Sequence, residues 1–401
     1  LGENQRALDY YTPALRLRQA EGNSQEEALL LSNMGEVYAL WSEHQRALDY
    51  FRQALPAQRR VGDRLRESLT LSNIGLLYNN TGQPAVALPL FEGALVAART
   101  SGNRRVEARI LVNRGGAFRD LGDTPGALAS YEQALTLQRT AGDRLGESET
   151  LNAIGVLFMR NGEDDKALDY YRRALMLQQA DGSRRDLGVT LNNIASVLTA
   201  TGALDEALAS VSESIALRRA VQDRRGEAES LYGLARVHRR RGQLAEALAA
   251  GESALEIVES LRTKAAGLDM RASSFATTLE MYDLVTTTLM DLYASTSDLA
   301  YAARAFHVSE RGRARALLDA LVETQGGVRG GISEELRSRE RELQDRINVR
   351  AERQIQLLNG THSPADAAAA DREMAALLIE RRELDAEIRA RSPRYAELTR
   401  P

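Results

Sequence analysis

The side chains best suited to chemistry are few and scattered. Cysteine is absent, which removes thiolate nucleophiles, thiolate metal sites and disulfides from this chain. The four histidines, His44, His238, His307 and His362, stand far apart, and none has a second ligand at metal-site spacing. They read as structural or surface residues, and no metal or cofactor is expected. The Gly-rich GGVRGG at 326–331 lacks the Lys-Ser/Thr of a phosphate loop and reads as a linker. The neighbouring carboxylates Asp164 and Asp165 fall at a turn between helices, where they cap or face water. No constellation supports catalysis, so the chain reads as a non-enzyme.

What does recur at fixed spacing is an amide. Asn33, Asn73, Asn113 and Asn193 share one register, interrupted by Ala153 and Gly233. Asn carries donors and an acceptor on one side chain, which suits a peptide backbone whatever its side chains. At about 100° per helical residue, Asn33 lies roughly opposite the apolar stripe of Leu31, Gly35 and Tyr38. The same face carries Asn80, Arg109, Arg160, Arg236 and Arg240, set against Glu36, Asp120, Glu149 and Glu229. These residues make a candidate binding face for an extended peptide of mildly acidic or mixed charge. The competing reading is that the Asn residues bond neighbouring helices and only shape the array.

The register that positions them is a repeat. Ala-Leu pairs recur at Ala7-Leu8, Ala47-Leu48, Ala87-Leu88, Ala127-Leu128, Ala167-Leu168, Ala207-Leu208 and Ala247-Leu248, each step 40 residues. Gly35, Gly75, Gly115 and Gly155, then Ala195 and Ala235, keep the same step. Within a unit, Leu31, Met34, Gly35 and Tyr38 mark the apolar stripe of one helix. Ala47, Leu48, Phe51, Ala54 and Leu55 mark that of a second. Small residues at Gly35 and Ala47 would let the two backbones approach. Gly62, Gly102, Gly142 and Gly182 read as helix stops, and Asp63, Asn103, Asp143 and Asp223 as caps for the next helix. Arg64/Glu67, Arg104/Glu107, Arg144/Glu147 and Arg224/Glu227 read as ion pairs within the first turn. Arg114 stands where other units are apolar and is expected to snorkel to the surface.

Composition agrees with a helical protein. Aromatics are 5% and hydrophobics 43% of the 401 residues, with eight prolines. A net charge of −4 does not mark a general nucleic-acid or membrane-surface binder, and no apolar run has the length of a membrane span.

The pattern resembles the tetratricopeptide repeat. The Gly and Ala markers match from Gly35 to Ala47 onward. The family's aromatic positions match Tyr38, Tyr78, Phe118 and Phe158 on first helices, and Phe51, Phe91, Tyr131 and Tyr171 on second ones. The 40-residue period resembles the versions in kinesin light chain and the LGN adaptor, over residues 1–263 as half a unit and six full ones. The sixth is worn, with His238 and Gly251 where aromatics are expected. The resemblance implies a right-handed superhelix whose first helices line a concave groove, placing the Asn ladder inside it. In the kinesin light chain and LGN families, Asn at this position contacts bound peptide.

After residue 263 the period breaks. Residues 262–293 read as one helix with Leu268, Phe275, Leu279, Tyr282 and Leu289 on its apolar side. Residues 302–323 read as a second, packing Phe306, Leu317, Leu318 and Leu321. Arg311, Arg313 and Arg315 read as a solvated face paired with Glu310 and Asp319. Two charged helices follow, with seams Leu336, Leu343, Ile347 and Met374, Leu377, Leu384, Ile388, implying an antiparallel coiled-coil hairpin. ERGRARALLD and SPRYAELTRP make residues 262–401 similar to the stretch that precedes the CHAT domain, a caspase-like cysteine peptidase of bacterial proteins. That resemblance implies a CHAT domain in cis beyond Pro401, with its catalytic His and Cys outside this chain.

The expected fold is therefore all-α. Its parts are a solenoid at 1–263, a degenerate capping helix pair at 264–325, a charged coiled-coil hairpin at 332–391 and a linker at 392–401. The expected function is a peptide- or protein-binding scaffold serving as the sensor or regulatory arm of a CHAT peptidase. The alternatives are a free-standing adaptor or a receptor for a short signalling peptide. The expected setting is the bacterial cytoplasm, with no nucleic-acid or membrane partner.

Overall fold

The computed structural model describes residues 2–41, 43–264 and 275–328, together with scattered positions between 335 and 391. These residues are helical apart from short turns, and no strand forms among them. The chain divides into two compact units, Leu1–Ala316 and Leu317–Pro401.

In the first unit α1 (Gly2–Ala20) takes the place of a second helix. Six helix pairs follow: α2 (Ser24–Leu40) with α3 (His44–Val61), α4 (Arg64–Asn80) with α5 (Pro84–Ser101), and α6 (Arg104–Asp120) with α7 (Thr124–Thr140). Then come α8 (Arg144–Arg160) with α9 (Asp164–Asp181), α10 (Arg184–Thr201) with α11 (Leu204–Ala220), and α12 (Arg224–Arg240) with α13 (Leu244–Lys264). Each helix packs on its sequence neighbours, and first helices also touch one another from α2–α4 through α10–α12. Among the described residues, second helices make no comparable contact with each other. The first helices therefore line the inner side of an all-α solenoid, as the tetratricopeptide resemblance implies.

Turn chemistry sets the helix boundaries. Gly62, Gly102 and Gly182 end second helices in the left-handed region, at φ of 72°, 71° and 70°. After Gly62 and Gly102 the next residue caps the following helix: Asp63 accepts from the Arg66 N–H at 3.0 Å and Asn103 from the Val106 N–H at 3.1 Å. Asp143 and Asp223 do the same, as does Asp123 at the start of α7, whereas Ser183 after Gly182 makes no such bond. At one turn Gln222 holds the left-handed conformation instead, with φ 56°.

The acidic residue of the first helical turn is used differently from the expectation. Glu67 and Glu227 do pair with Arg64 and Arg224. Glu107 and Glu147 instead reach back across the turn to Arg99 and Arg139, each at 2.6 Å. The same eight-residue span joins Arg59 to Glu67 and Arg219 to Glu227 at 2.7 Å, so this clamp between consecutive helices is the repeating feature. The Arg at the end of one helix lies beside the acid opening the next because the turn folds them side by side.

The small first-helix residue makes room for a ring. A Cβ on Gly35, Gly75, Gly115 or Gly155 would come within 2.5–2.7 Å of the buried Phe51, Phe91, Tyr131 or Tyr171. Arg114 does not snorkel free. Its side chain is 13% exposed, with Nε donating to Ser130 Oγ at 3.1 Å and Nη1 to Glu92 at 2.7 Å. The small Ser130 leaves space for it beside α7.

Beyond α13 the solenoid continues with α14 (Phe275–Thr296), which packs on α13 and α12 in the manner of a further first helix. Tyr282 and Leu289 are buried as expected, whereas Leu279 is 44% exposed because the buried stripe runs through Met281, Tyr282, Val285 and Leu289. In α15 (Leu299–Val328) Phe306 is 64% exposed. Tyr301, Ala305 and Val308 make the inward contacts and Gly312 lies against Tyr282, so Phe306 falls on the other side. Gly326–Val328, read as linker, are the helix end. Arg313 pairs with Glu310 at 2.8 Å and Arg311 lies over the Tyr282 ring. Leu268 lies outside the described residues, as do the side chains of Phe275, Arg315, Leu317, Leu318, Asp319 and Leu321.

In the second unit Leu336, Leu343, Leu377, Leu384 and Ile388 form one buried cluster. Arg339 bonds Glu387 at 2.9 Å and Arg346 bonds Glu380 at 3.0 Å, so the partners step in opposite directions along the chain. Ile347 and Met374 of the expected seams lie outside the described residues.

Candidate functional site

The amide ladder sits on the inner face, with rungs on α2, α4, α6 and α10, and the last three are each tied to the preceding first helix. Asn73 Nδ2 donates to Glu36 at 3.3 Å, Asn113 Nδ2 to Ser72 Oγ at 3.1 Å and Asn193 Nδ2 to Asn152 Oδ1 at 3.2 Å. Each bond joins a first helix to the one before it. Asn33 opens the series in α2 and, like the others, is half-buried. Each bonded amide uses one N–H in this way and keeps its carbonyl and second N–H as further capacity. Bonding between helices thus leaves each of these side chains with hydrogen-bonding capacity for a further partner.

A second line runs along the helix ends. Asp120 accepts from Asn79 Nδ2 of α4 at 3.0 Å and from Arg160 Nη1 of α8 at 3.0 Å, with Arg119 beside it. Burial pushes the Asp120 carboxyl up, but the Asn79, Arg119 and Arg160 contacts outweigh it and hold it below the ordinary Asp value. Arg160 is therefore committed to a three-helix junction. Asn80, Arg109 and Arg240 are exposed. Burial, then the neighbouring Asp186 and Asp143, push the Glu149 carboxyl above its ordinary value. The predicted residues accordingly form an extended polar track across six helices, interrupted at Ala153 and Gly233, and they do not converge on one compact centre.

Towards the C-terminal end the track deepens into a recess of about 180 Å³ between α10 and α12, walled by Asn192, Ser196, Thr199, Glu229, Tyr232 and Arg236. Arg236 Nη1 meets Ser196 Oγ at 3.5 Å, and its guanidinium lies over the Tyr232 ring at 5.9 Å. Tyr232 in turn donates to Glu280 of α14 at 3.5 Å, which carries the inner face onto that helix.

Sequence reasoning missed Ser72, Asn152 and Asn192. Each directly precedes a ladder position, 41 residues before the next ladder residue. The offset of one repeat plus one residue was the available signal. Among the described residues no group of three or more His, Asp or Glu side chains could hold a metal ion, and no helix is long and apolar enough to cross a membrane.

An inner wall of alternating first helices, with a ladder of tied amides, defines a helical-repeat scaffold. The tetratricopeptide repeat family profile matches residues 1–60, 66–140, 106–180 and 186–260, and the chain belongs to that family. No curated protein sequence matches it. Among solved structures it is similar to aspartyl phosphate phosphatase F of Bacillus subtilis, at 15% identity and TM-score 0.55 over 74% of each chain. It is also similar to the Rap conjugation gene regulator of plasmid pLS20 in complex with the Phr* peptide. There the identity is 16% and the TM-score 0.51, over 74% of this chain and 77% of that one. The kinesin light chain-like protein of Podosopora anserina with nearly identical repeats matches at 16% identity and TM-score 0.41, over 49% of this chain and 96% of that one.

Proposed function

We propose that this chain is a scaffold that holds a peptide or protein segment along its inner face and acts as the regulatory arm of a CHAT-family peptidase. The observation that carries the binding part is the amide ladder. Asn73, Asn113 and Asn193 are fixed by bonds between helices, so their remaining carbonyl and N–H groups are pre-oriented for an extended backbone. The charges along the track, Arg109 and Arg240 against Glu36 and Glu149, suit a segment of mixed charge. The tie to a peptidase rests on the resemblance of residues 262–401 to the stretch that precedes CHAT domains. On this reading the charged segments carrying Leu343 and Leu384 form a coiled-coil hairpin that relays occupancy of the groove. A caspase-like His and Cys encoded downstream of residue 401 checks that part.

The receptor reading is favoured by one observation, the fold likeness to a Rap regulator solved with its Phr* peptide. It differs in the ligand, a short free peptide in place of a protein segment.

The test is calorimetric titration of a retained peptide into the wild type and an Asn73→Ala/Asn113→Ala variant. Each lost hydrogen bond is worth ~0.5–1.5 kcal/mol, so the pair weakens affinity roughly 5- to 150-fold. Unchanged affinity in a variant of unchanged helicity rejects the groove assignment.

A further inference from the structure

The ladder is broken at two rungs, and the two breaks differ. At Ala153 the missing amide would have bonded residue 112 of the preceding first helix, which is Val112 and needs no donor. At Gly233 the missing amide would have bonded Asn192, by the relation that joins Asn113 to Ser72 and Asn193 to Asn152, which the first bonded rung, Asn73 on Glu36, does not share. Asn192 Oδ1 is buried and has no hydrogen-bond partner. A Cβ on Gly233 would stand 3.0 Å from that oxygen, so the lost side chain would have pointed at it. The space it leaves is part of the recess between α10 and α12. An acceptor cut off from water is costly unless a donor reaches it.

We propose that this recess receives a primary carboxamide, the side chain of an Asn or Gln in the bound peptide, which restores the missing rung from the ligand. This rests on the groove reading above and names its ligand chemistry. The carboxamide N–H₂ donates to Asn192 Oδ1, and its carbonyl accepts from Arg236, whose contact with Ser196 is long at 3.5 Å. The competing groups match one wall and conflict with the other. A carboxylate satisfies Arg236 but sets an anion against the Asn192 carbonyl. An ammonium satisfies Asn192 but meets the Arg236 cation. Glu229, the acid of the same wall, is engaged by Arg218 at 3.2 Å and by Arg225. A neutral group with a donor and an acceptor side by side fits both.

The experiment pans a random peptide library displayed on phage against the full chain, then against Gly233→Asn and Asn192→Ala. Wild type is expected to enrich Asn or Gln at one peptide position. Gly233→Asn supplies the rung from the protein and fills the recess, and Asn192→Ala removes the acceptor, so the preference vanishes in both. A wild-type-selected peptide should bind each variant roughly 2- to 10-fold more weakly, the worth of one hydrogen bond. Gly233→Asn should also melt higher than Gly233→Ala, because only the former completes the bond to Asn192. Enrichment of Asp, Glu or Lys at that position, or of no residue, overturns the carboxamide assignment while leaving the groove reading intact. So does an Asn/Gln preference that survives Gly233→Asn. A wild-type chain that retains no peptide overturns both.

Discussion

The rungs of α2–α9 and those of α10–α13 hold the same helix spacing with opposite allocations of volume. In the first set a glycine faces a large ring, Gly35 to Phe51 through Gly155 to Tyr171. In the second, Ala195 and Val211 occupy the same two positions, both buried. Then Ala235 is followed by Gly251, where a Cβ would run into Val285 of α14 at 2.8 Å. The two sizes change together because a close-packed interior admits a larger residue only where its neighbour shrinks. The aromatic is given up where α14 comes in to fill the space. A second position differs between the sets. Gln58, Gln138 and Gln178 occupy it in the first set with Ala98 among them, and Arg218, 3% exposed, then Val258 occupy it in the second. Repeats of one register therefore differ where their neighbours differ, and the inner-face recess opens in the set that departs furthest from the pattern.

The largest expected effect comes from forcing one set to resemble the other halfway. Gly115→Ala drives a Cβ toward the Tyr131 ring at 2.5 Å and should cost ~1–3 kcal/mol, read as a lower urea midpoint. Adding Tyr131→Val reproduces the Ala195/Val211 rung, so the double variant should lose less than the sum of the single ones by ~0.5–3 kcal/mol. Strict additivity breaks the volume argument.

Arg218 tests the polar position. Arg218→Ala removes the cation that faces Glu229 and Asp223 and should destabilise by about 1–3 kcal/mol, discounted for the partial exposure of Glu229. Arg218→Gln installs the residue of the other set and should recover much of that loss in thermal melts. Equal losses in both variants would mean that the charge, and not the filled position, is what matters there.

A smaller effect separates the clamps by acid titration. Burial pushes the Glu67 carboxyl up, but hydrogen bonds from Arg59 and Arg64 outweigh it and hold it below the ordinary Glu value of 4.5. A carboxyl depressed in the folded state adds stability above its unfolded pKa, and that stability fades as pH falls through the lower folded value. Melting of the wild type should therefore drop below about pH 4.5, and Glu67→Gln should flatten part of that drop. An unchanged acid slope removes the clamp from the account.

The smallest effect is at the turn between α11 and α12, where the non-glycine Gln222 takes the conformation that glycine holds at most other turns. Gln222→Gly relieves a φ of 56° that costs a non-glycine roughly 1–2 kcal/mol, and glycine's larger loss of chain entropy offsets part of that, so stability should rise by a few tenths to ~1 kcal/mol. A lower melting point would show that the Gln222 side chain holds the turn.

Period, helix pairing, turn glycines and caps were legible in the sequence because they depend on neighbours within one unit. Asp63 caps α4 using atoms three residues away, and Gly62 needs only its own backbone freedom. That the ladder Asn residues share one helix face followed as well, since 40 residues return each to the same side, while the assignment of that face to the inner side came from the family resemblance. Contacts that cross between units were harder to read. That Glu107 would choose Arg99, that Arg114 would settle between Glu92 and Ser130, and that Phe306 would face outward depended on how one helix lies beside another.

The sequence by itself determined that this is a forty-residue helical repeat with an amide at matching positions, because periodicity is a property of spacing alone. Only the tertiary structure decided what each amide does. A hydrogen bond needs two atoms within about 3 Å, and the partner of Asn193 lies 41 residues away on another helix. For the same reason Gly233 looks in sequence like one more worn position. In the folded chain it is the gap that leaves the Asn192 oxygen without a donor.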